Sequence, residues 1–269
     1  MKLAISNIAW ESQELDEHLK LIKQLGCQGV EIAPSLIWPE PTETSSFQRK
    51  DLKRKINNFD LNLVGLHALL FTRPDLELFL SRENRTQTGE YLIRLFELCR
   101  DLGGKTLIFG SPKNRRLHDQ HYQDCFKIAV DFFQNLAESA RNCDVIFCIE
   151  PLSHKETEFI TSSPEAFELV DQVNHPSFGL HLDTKAMIDS KEDFHQVFKR
   201  YAKMLRHFHV SEEGLKPPGT MGFDHKQMGS ALRQSGYTGY ISIEMRRGLG
   251  RSQETIEKTI RYVRECYFL

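Results

Sequence analysis

Eight short runs rich in Ile, Val, Leu and Phe recur along the chain, and that rhythm constrains the fold more than any other feature. They are KLAISNIA, GVEIAP, LVGLHALLF, TLIFGS, VIFCIEP, FGLHLDT, RHFHVSE and YISIEM. Runs that are apolar almost throughout read as strands covered on both faces. Segments of helical spacing lie between them. ELDEHLKLIKQLGC places Leu15, Leu19, Ile22 and Leu25 on one face, and Gly26 supplies a stop. GEYLIRLFELCRDLGG ends in the same way. SSPEAFELVDQV opens with Ser163 as the expected cap and Pro164 at the first helical position. SQETIEKTIRYVREC gives a last helix after the last strand. Eight strand–helix units of roughly thirty residues predict an α/β fold, a single-domain (β/α)8 (TIM) barrel spanning residues 1–269. A doubly wound sheet is the alternative, but no G-x-G-x-x-G follows the first strand.

Composition narrows the partners. A net charge of −2 over 269 residues gives no basic face for nucleic acid and no cationic surface for a membrane. The six cysteines form no C-x-x-C pair, which fits reduced thiols and a cytoplasmic location. The opening MKLAISNIAWESQ reads as a first strand and not as a signal peptide. A homo-oligomer is compatible with such a chain.

In a barrel of this kind the site lies at the carboxyl ends of the strands. The fifth strand ends in Glu150, the sixth in Asp183 and the eighth in Glu244, while the seventh holds His209. Three carboxylates and an imidazole on four successive strands make a mainly hard oxygen site. Such a set suits one divalent metal ion, Mn²⁺ first, with Mg²⁺, Co²⁺ or Zn²⁺ as alternatives. A cation would also compensate acids that are costly to bury alone. Against this stands the bland alternative for each residue: a loop-starting glutamate, or a core histidine bonded to backbone.

The set Glu150, Asp183, His209 and Glu244, each in its strand context, resembles the xylose-isomerase-like superfamily of sugar isomerases and epimerases. Its order and spacings are similar to those of the ketose 3-epimerases, and the resemblance runs from GVEIAP to YISIEM. It implies a cytoplasmic sugar or sugar-phosphate isomerase or epimerase that abstracts a proton next to a carbonyl, through an enediolate. It further implies that Glu150 and Glu244 are the catalytic acid/base pair, flanking the substrate carbon, while Asp183 and His209 mainly hold the metal. The pattern departs at Ala186, where ketose 3-epimerases carry a substrate-binding His, and in HVSEEGLK, which lacks their Arg. Free-ketohexose specificity therefore does not carry over.

Other rim residues are candidates for substrate contact. Glu31 and His67 could bind hydroxyls or could be structural hydrogen-bond partners. Lys113 and Arg115, in GSPKNRR with Asn114 and Arg116, could bind a phosphate or carboxylate, or form a solvated basic turn. Glu156 falls where ketose 3-epimerases have a substrate-contacting Glu. Arg246, Lys185 and Lys216 are rim cations, Trp10 and Trp38 could stack on a sugar or simply pack, and GLKPPGTMGFDHKQ is either a lid or a long surface loop. Three rivals remain: a hydro-lyase of the same superfamily, an AP-endonuclease-like phosphodiesterase and a non-catalytic barrel. The phosphodiesterase needs further metal ligands, for which His67 and the Asp224–His225 pair are partial candidates.

Overall fold

The structure, a computed structural model, describes residues 1–269. Its eight strands are β1 (Lys2–Ser6), β2 (Gly29–Ile32), β3 (Asn62–Leu66), β4 (Thr106–Phe109), β5 (Ile146–Ile149), β6 (Phe178–Asp183), β7 (Leu205–Val210) and β8 (Tyr240–Ile243). All pairings are parallel, and β8 closes on β1 to complete a barrel in the order of the sequence. The helices are α1 (Leu15–Gln24), α2 (Ser46–Asn58), α3 (Arg82–Leu102), α4 (Tyr122–Asn142), α5 (Ser163–Val173), α6 (Thr184–Asp189), α7 (Phe194–Tyr201), α8 (His225–Gln234) and α9 (Ser252–Tyr267). Every strand is followed by one helix except β6, which is followed by two. The sequence rhythm thus gives the (β/α)8 barrel it predicts.

Local chemistry explains the boundaries. Gly103 closes α3 with φ of 90°, and Gly26 follows α1 with φ of 83°; a side chain there would be strained. The cap of α5 lies one residue earlier than expected. Ser162, not Ser163, accepts the Glu165 N–H, and Pro164 sits one position inside the helix. Ser163 is taken up by Glu192, to which it donates both its N–H and its hydroxyl.

Period-2 alternation sorts the strand side chains. Phe208 of β7 faces outward onto Phe198 and Tyr267 of the surrounding helices. Phe96, Phe133, Phe147 and Phe178 meet edge-on, tilted or, for Phe133 on Phe178, stacked, in the layer between the strands and helices α3 and α4. The alternate residues, among them His207 and His209, face into the barrel, where the site is built.

Candidate active site

Four strand ends bring Glu150, Asp183, His209 and Glu244 together. Asp183 is the last residue of β6 and stands beside His209 in the ladder, and His209 in turn stands beside Ser242. Ligand atoms of Glu150, Asp183 and His209 lie within 4.8 Å of one another. His209 Nδ1 is 3.9 Å from Asp183 Oδ2 and 3.5 Å from Glu244 Oε2. All four side chains therefore converge on one point.

Each is aimed by a partner behind it. His209 Nε2 lies 2.8 Å from Glu31 Oε2. A carboxylate can only accept there, so the ring proton belongs on Nε2 and Nδ1 keeps its lone pair. That Nδ1 is buried and has no hydrogen-bond partner. Asp183 Oδ1 accepts the Lys185 N–H at 2.6 Å and the Ser211 hydroxyl at 2.5 Å, which leaves Oδ2 for the convergence point. Glu244 Oε1 is 3.2 Å from His67 Nδ1, and His67 Nε2 is 2.5 Å from the Ser6 hydroxyl. Glu150 needs the space left by Gly110: a Cβ there would stand 2.2 Å from Glu150 Oε2.

The electrostatics are those of an uncompensated acid cluster. Burial pushes Glu150 well above the usual carboxylate range, and Asp183 and Glu244 push it further. Burial and the nearby Glu244 raise Asp183 to about 6. Burial opposes ionisation of Glu244 too, but His209 and His67 outweigh it and hold that carboxyl below its usual range. For His209 burial is outweighed by Glu31 and Glu244, which raise the ring's basicity, so without a cation a proton takes the Nδ1 position that a metal ion would otherwise occupy. An orphaned imidazole nitrogen amid three crowded acids fits a divalent cation held by Glu150, Asp183, His209 and Glu244.

This predicts a pH-dependent metal effect. A carboxyl group raised by folding contributes stability below its unfolded value, about 4, and loses it as pH rises through its folded value, about 6 for Asp183. A cation removes that loss. The thermal-unfolding gain on adding Mn²⁺ to metal-free protein should grow between about pH 5 and about pH 7. A gain that is flat or shrinks over that window would contradict the ligand assignment.

The four side chains open into a cavity of about 580 Å³. His67, Lys113, Glu156, Lys185 and Arg246 stand on its wall, and so does Ala186. Lys185 is paired with Glu156. Two expected contacts are corrected. Glu31 is fully buried behind His209, accepts the Ser242 hydroxyl at 2.7 Å and lies 3.2 Å from His207 Nε2, so it does not reach the cavity. Arg115 is also fully buried and donates from Nη1 to the Glu150 carbonyl at 2.8 Å, beneath the wall.

Trp10 stacks on His18 at 5.1 Å, and Trp38 packs in an outer groove with Leu15 and Leu52, so neither lines the cavity. Lys216 is exposed and off the wall. Asp224 caps α8, and His225 is held between Tyr267 and Glu212. Neither joins the site; of the further ligands considered for a phosphodiesterase only His67 stands at the cavity, beside Glu244.

The glycine- and proline-rich segment is fastened at its root. Glu212 accepts the N–H groups of Gly219, Thr220 and Met221, while Gly214 and Leu215 line the cavity. Sequence reasoning missed Ser6, Ser211, Ser242 and Gly110, whose common signal is a small residue at or beside a strand end.

The family described as xylose isomerase-like TIM barrel matches residues 19–266. The chain belongs to this family. It is 29% identical over 253 residues to a D-psicose 3-epimerase of Ruminiclostridium cellulolyticum, covering 91% of this chain and 83% of that one. It is 26% identical over 164 residues to a probable ketose 3-epimerase of Synechocystis, covering 57% of this chain and 54% of that one. These relatives are named as epimerases, which are isomerases. Among solved structures, a Clostridium cellulolyticum D-psicose 3-epimerase crystallised with D-tagatose superposes with a TM-score of 0.84 at 20% identity, over 99% of both chains. A 3-keto-D-glucoside 4-epimerase of E. coli gives a TM-score of 0.85 at 18% identity, over 99% of this chain and 100% of that one. Those two likenesses speak to the fold. No helix is long and apolar enough to cross a membrane.

Proposed function

We propose that the chain is a divalent-metal-dependent epimerase or isomerase of a ketose or ketose phosphate, acting by proton abstraction next to the carbonyl. The observation that carries this is the His209 imidazole, with Nε2 locked on Glu31 and a free, buried Nδ1 facing the carboxylates of Asp183 and Glu244. Kinship with named ketose 3-epimerases supports the reaction class. Glu150, Asp183, His209 and Glu244 hold the metal, with Mn²⁺ the first choice, and the protein works in the cytoplasm. When bound, a divalent ion supplies Lewis acidity that stabilises negative charge developing on the carbonyl oxygen.

The protein's own groups move the proton. A carboxylate is a weak base for a carbon acid, and each pKa unit of mismatch costs about 1.4 kcal/mol. Glu150 and Glu244 follow β5 and β8, three strands apart in a closed ring of eight, so they approach a substrate from well-separated directions. One takes the proton and the other returns it. Return to the same carbon epimerises, and return to the neighbouring carbon isomerises. His67, Glu156 and Lys185 are placed to orient hydroxyls, and the apolar wall of Ile108, Leu152 and Leu215 limits water.

Two measurements test this reading together. Elemental analysis of protein purified without chelator should give about one divalent ion per chain, or a site that fills with Mn²⁺. Turnover in D₂O should place deuterium on the carbon next to the carbonyl, in product and recovered substrate at partial conversion. Turnover with no solvent hydrogen in either would sink the two-glutamate mechanism. A new unsaturated chromophore in the product would instead indicate the hydro-lyase.

A further inference from the structure

A second chamber opens beside the catalytic cavity and shares part of its wall. The two have Pro112, Lys113 and Glu156 in common, and the second adds about 460 Å³. Its character is different. The first chamber mixes the acid cluster with apolar wall, whereas the second is lined by Arg116, His154 and Lys155 together with the shared Lys113. Glu156 is neutralised by Lys185 and Lys155 by Asp189. That leaves Lys113 and Arg116 without ion pairs, opposed by one unpaired acid, Glu158.

Both walls are anchored, which separates this chamber from a floppy basic turn. On one side Ser111 adopts a left-handed backbone with φ of 43° and ψ of 66°, and Pro112–Asn114 form a single 3-10 turn. Asn114 then turns inward and donates to the Arg73 and Leu76 carbonyls at 2.7 and 2.6 Å. Arg115 follows it inward onto the Glu150 carbonyl. With those two residues tied inside, Lys113 and Arg116 are the ones presented to the chamber. On the other side the fully buried Ser153 accepts from Lys155, Glu156 and Thr157, which fixes the turn carrying His154 and Lys155. A loop backbone already fixed in place adds little ordering cost of its own when its side chains bind an anion.

We propose that this chamber is a distal subsite for an oxyanion on the substrate, a phosphoryl or carboxylate group remote from the reacting carbons. What occupies the first chamber rests on the epimerase reading; the anion subsite itself does not. A guanidinium and an ammonium at one anchored mouth suit an oxyanion by charge and as hydrogen-bond donors. The reacting end is fixed over the four strand-end residues while the charged end sits between the β4–α4 and β5–α5 loops. A free sugar would leave the second chamber without a charge to meet.

The test begins with calorimetric titration of inorganic phosphate into the metal-loaded protein and into the double variant Lys113→Ala/Arg116→Ala. Circular dichroism checks that both are folded. Loss of two charged hydrogen-bond donors should weaken phosphate binding by on the order of 10- to 100-fold. Equal affinity in the two proteins would place phosphate on the metal alone and overturn the subsite. Turnover of ketose phosphates, ketouronates and free ketoses then identifies the group. In the double variant, kcat/KM for the anionic substrate should fall relative to the free ketose by a similar factor, through KM. Preference for phosphates assigns a phosphoryl group, and preference for uronates a carboxylate. Free ketoses handled as well as either, with a ratio the variant does not change, would overturn the proposal. Absence of turnover with every sugar would count against the epimerase reading and leave the phosphate titration to decide the subsite.

Discussion

Glu150→Gln and Glu244→Gln should each abolish measurable turnover while circular dichroism and thermal unfolding show an intact barrel. Each substitution keeps the side chain's shape and removes its basicity. General acid–base groups are worth about 10²- to 10⁴-fold, and loss of a ligand charge adds to that. The two variants should differ in one respect. Glu244 is hydrogen-bonding distance from His67 and 3.5 Å from His209, so its amide also leaves two imidazoles without their carboxylate. Glu150 lies in an acid-rich corner against Gly110, with His181 Nε2 no nearer than 3.7 Å, so its amide relieves repulsion. Metal-free Glu150→Gln should therefore unfold at a higher temperature than metal-free wild type, and Glu244→Gln at a lower one. Normal turnover in either variant would place the acid/base pair elsewhere.

The strand-end rule made these glutamates legible because it depends on topology alone. Once eight parallel strands are counted, their last polar residues must share a rim, whatever the details of packing. Depth is another matter. Alternation tells which face a residue takes but not how far down the barrel it sits, because that depends on the stagger between strands. Glu31 pairs in register with Ser6 on β1, and its carboxylate meets His209 and Ser242 from across the barrel. Nothing local to GVEIAP encodes that meeting. GSPKNRR poses the same problem in miniature. Four polar residues follow one another, and the composition cannot say which turn inward. Asn114 decides it by finding the Arg73 and Leu76 carbonyls, which carries Arg115 into the core and leaves Arg116 outside. The one-residue shift of the α5 cap has a similar origin, since Ser162 and Ser163 are equivalent caps in sequence. Glu192, distant in the chain, claims Ser163.

The placement of Glu31 carries the other large expected effect. Its carboxylate is fully buried between His209 at 2.8 Å, Ser242 at 2.7 Å and His207 at 3.2 Å. Burial alone would raise it, but His209, His207 and His67 outweigh that and hold it well below the usual range. Glu31→Ala removes the charge and opens a hole beneath the site, leaving two imidazoles unpaired. Breaking a buried charged network in this way costs about 3–5 kcal/mol, a large share of a domain's stability. Glu31→Gln is the more telling variant. The amide oxygen can still accept from His209 Nε2, so the fold should survive, but the ring loses the carboxylate that raises its basicity as a ligand. Partners of this kind are worth about 10- to 100-fold in metal affinity. Titration of metal-free Glu31→Gln with Mn²⁺ should show that loss, and kcat at saturating metal should recover most of its wild-type value. A residue that instead touched substrate would give the opposite pattern: unchanged metal affinity and a raised KM at any metal concentration. That pattern would return Glu31 to the substrate-binding role its position in the sequence first suggests, and would remove the lock on the His209 tautomer on which the metal assignment stands.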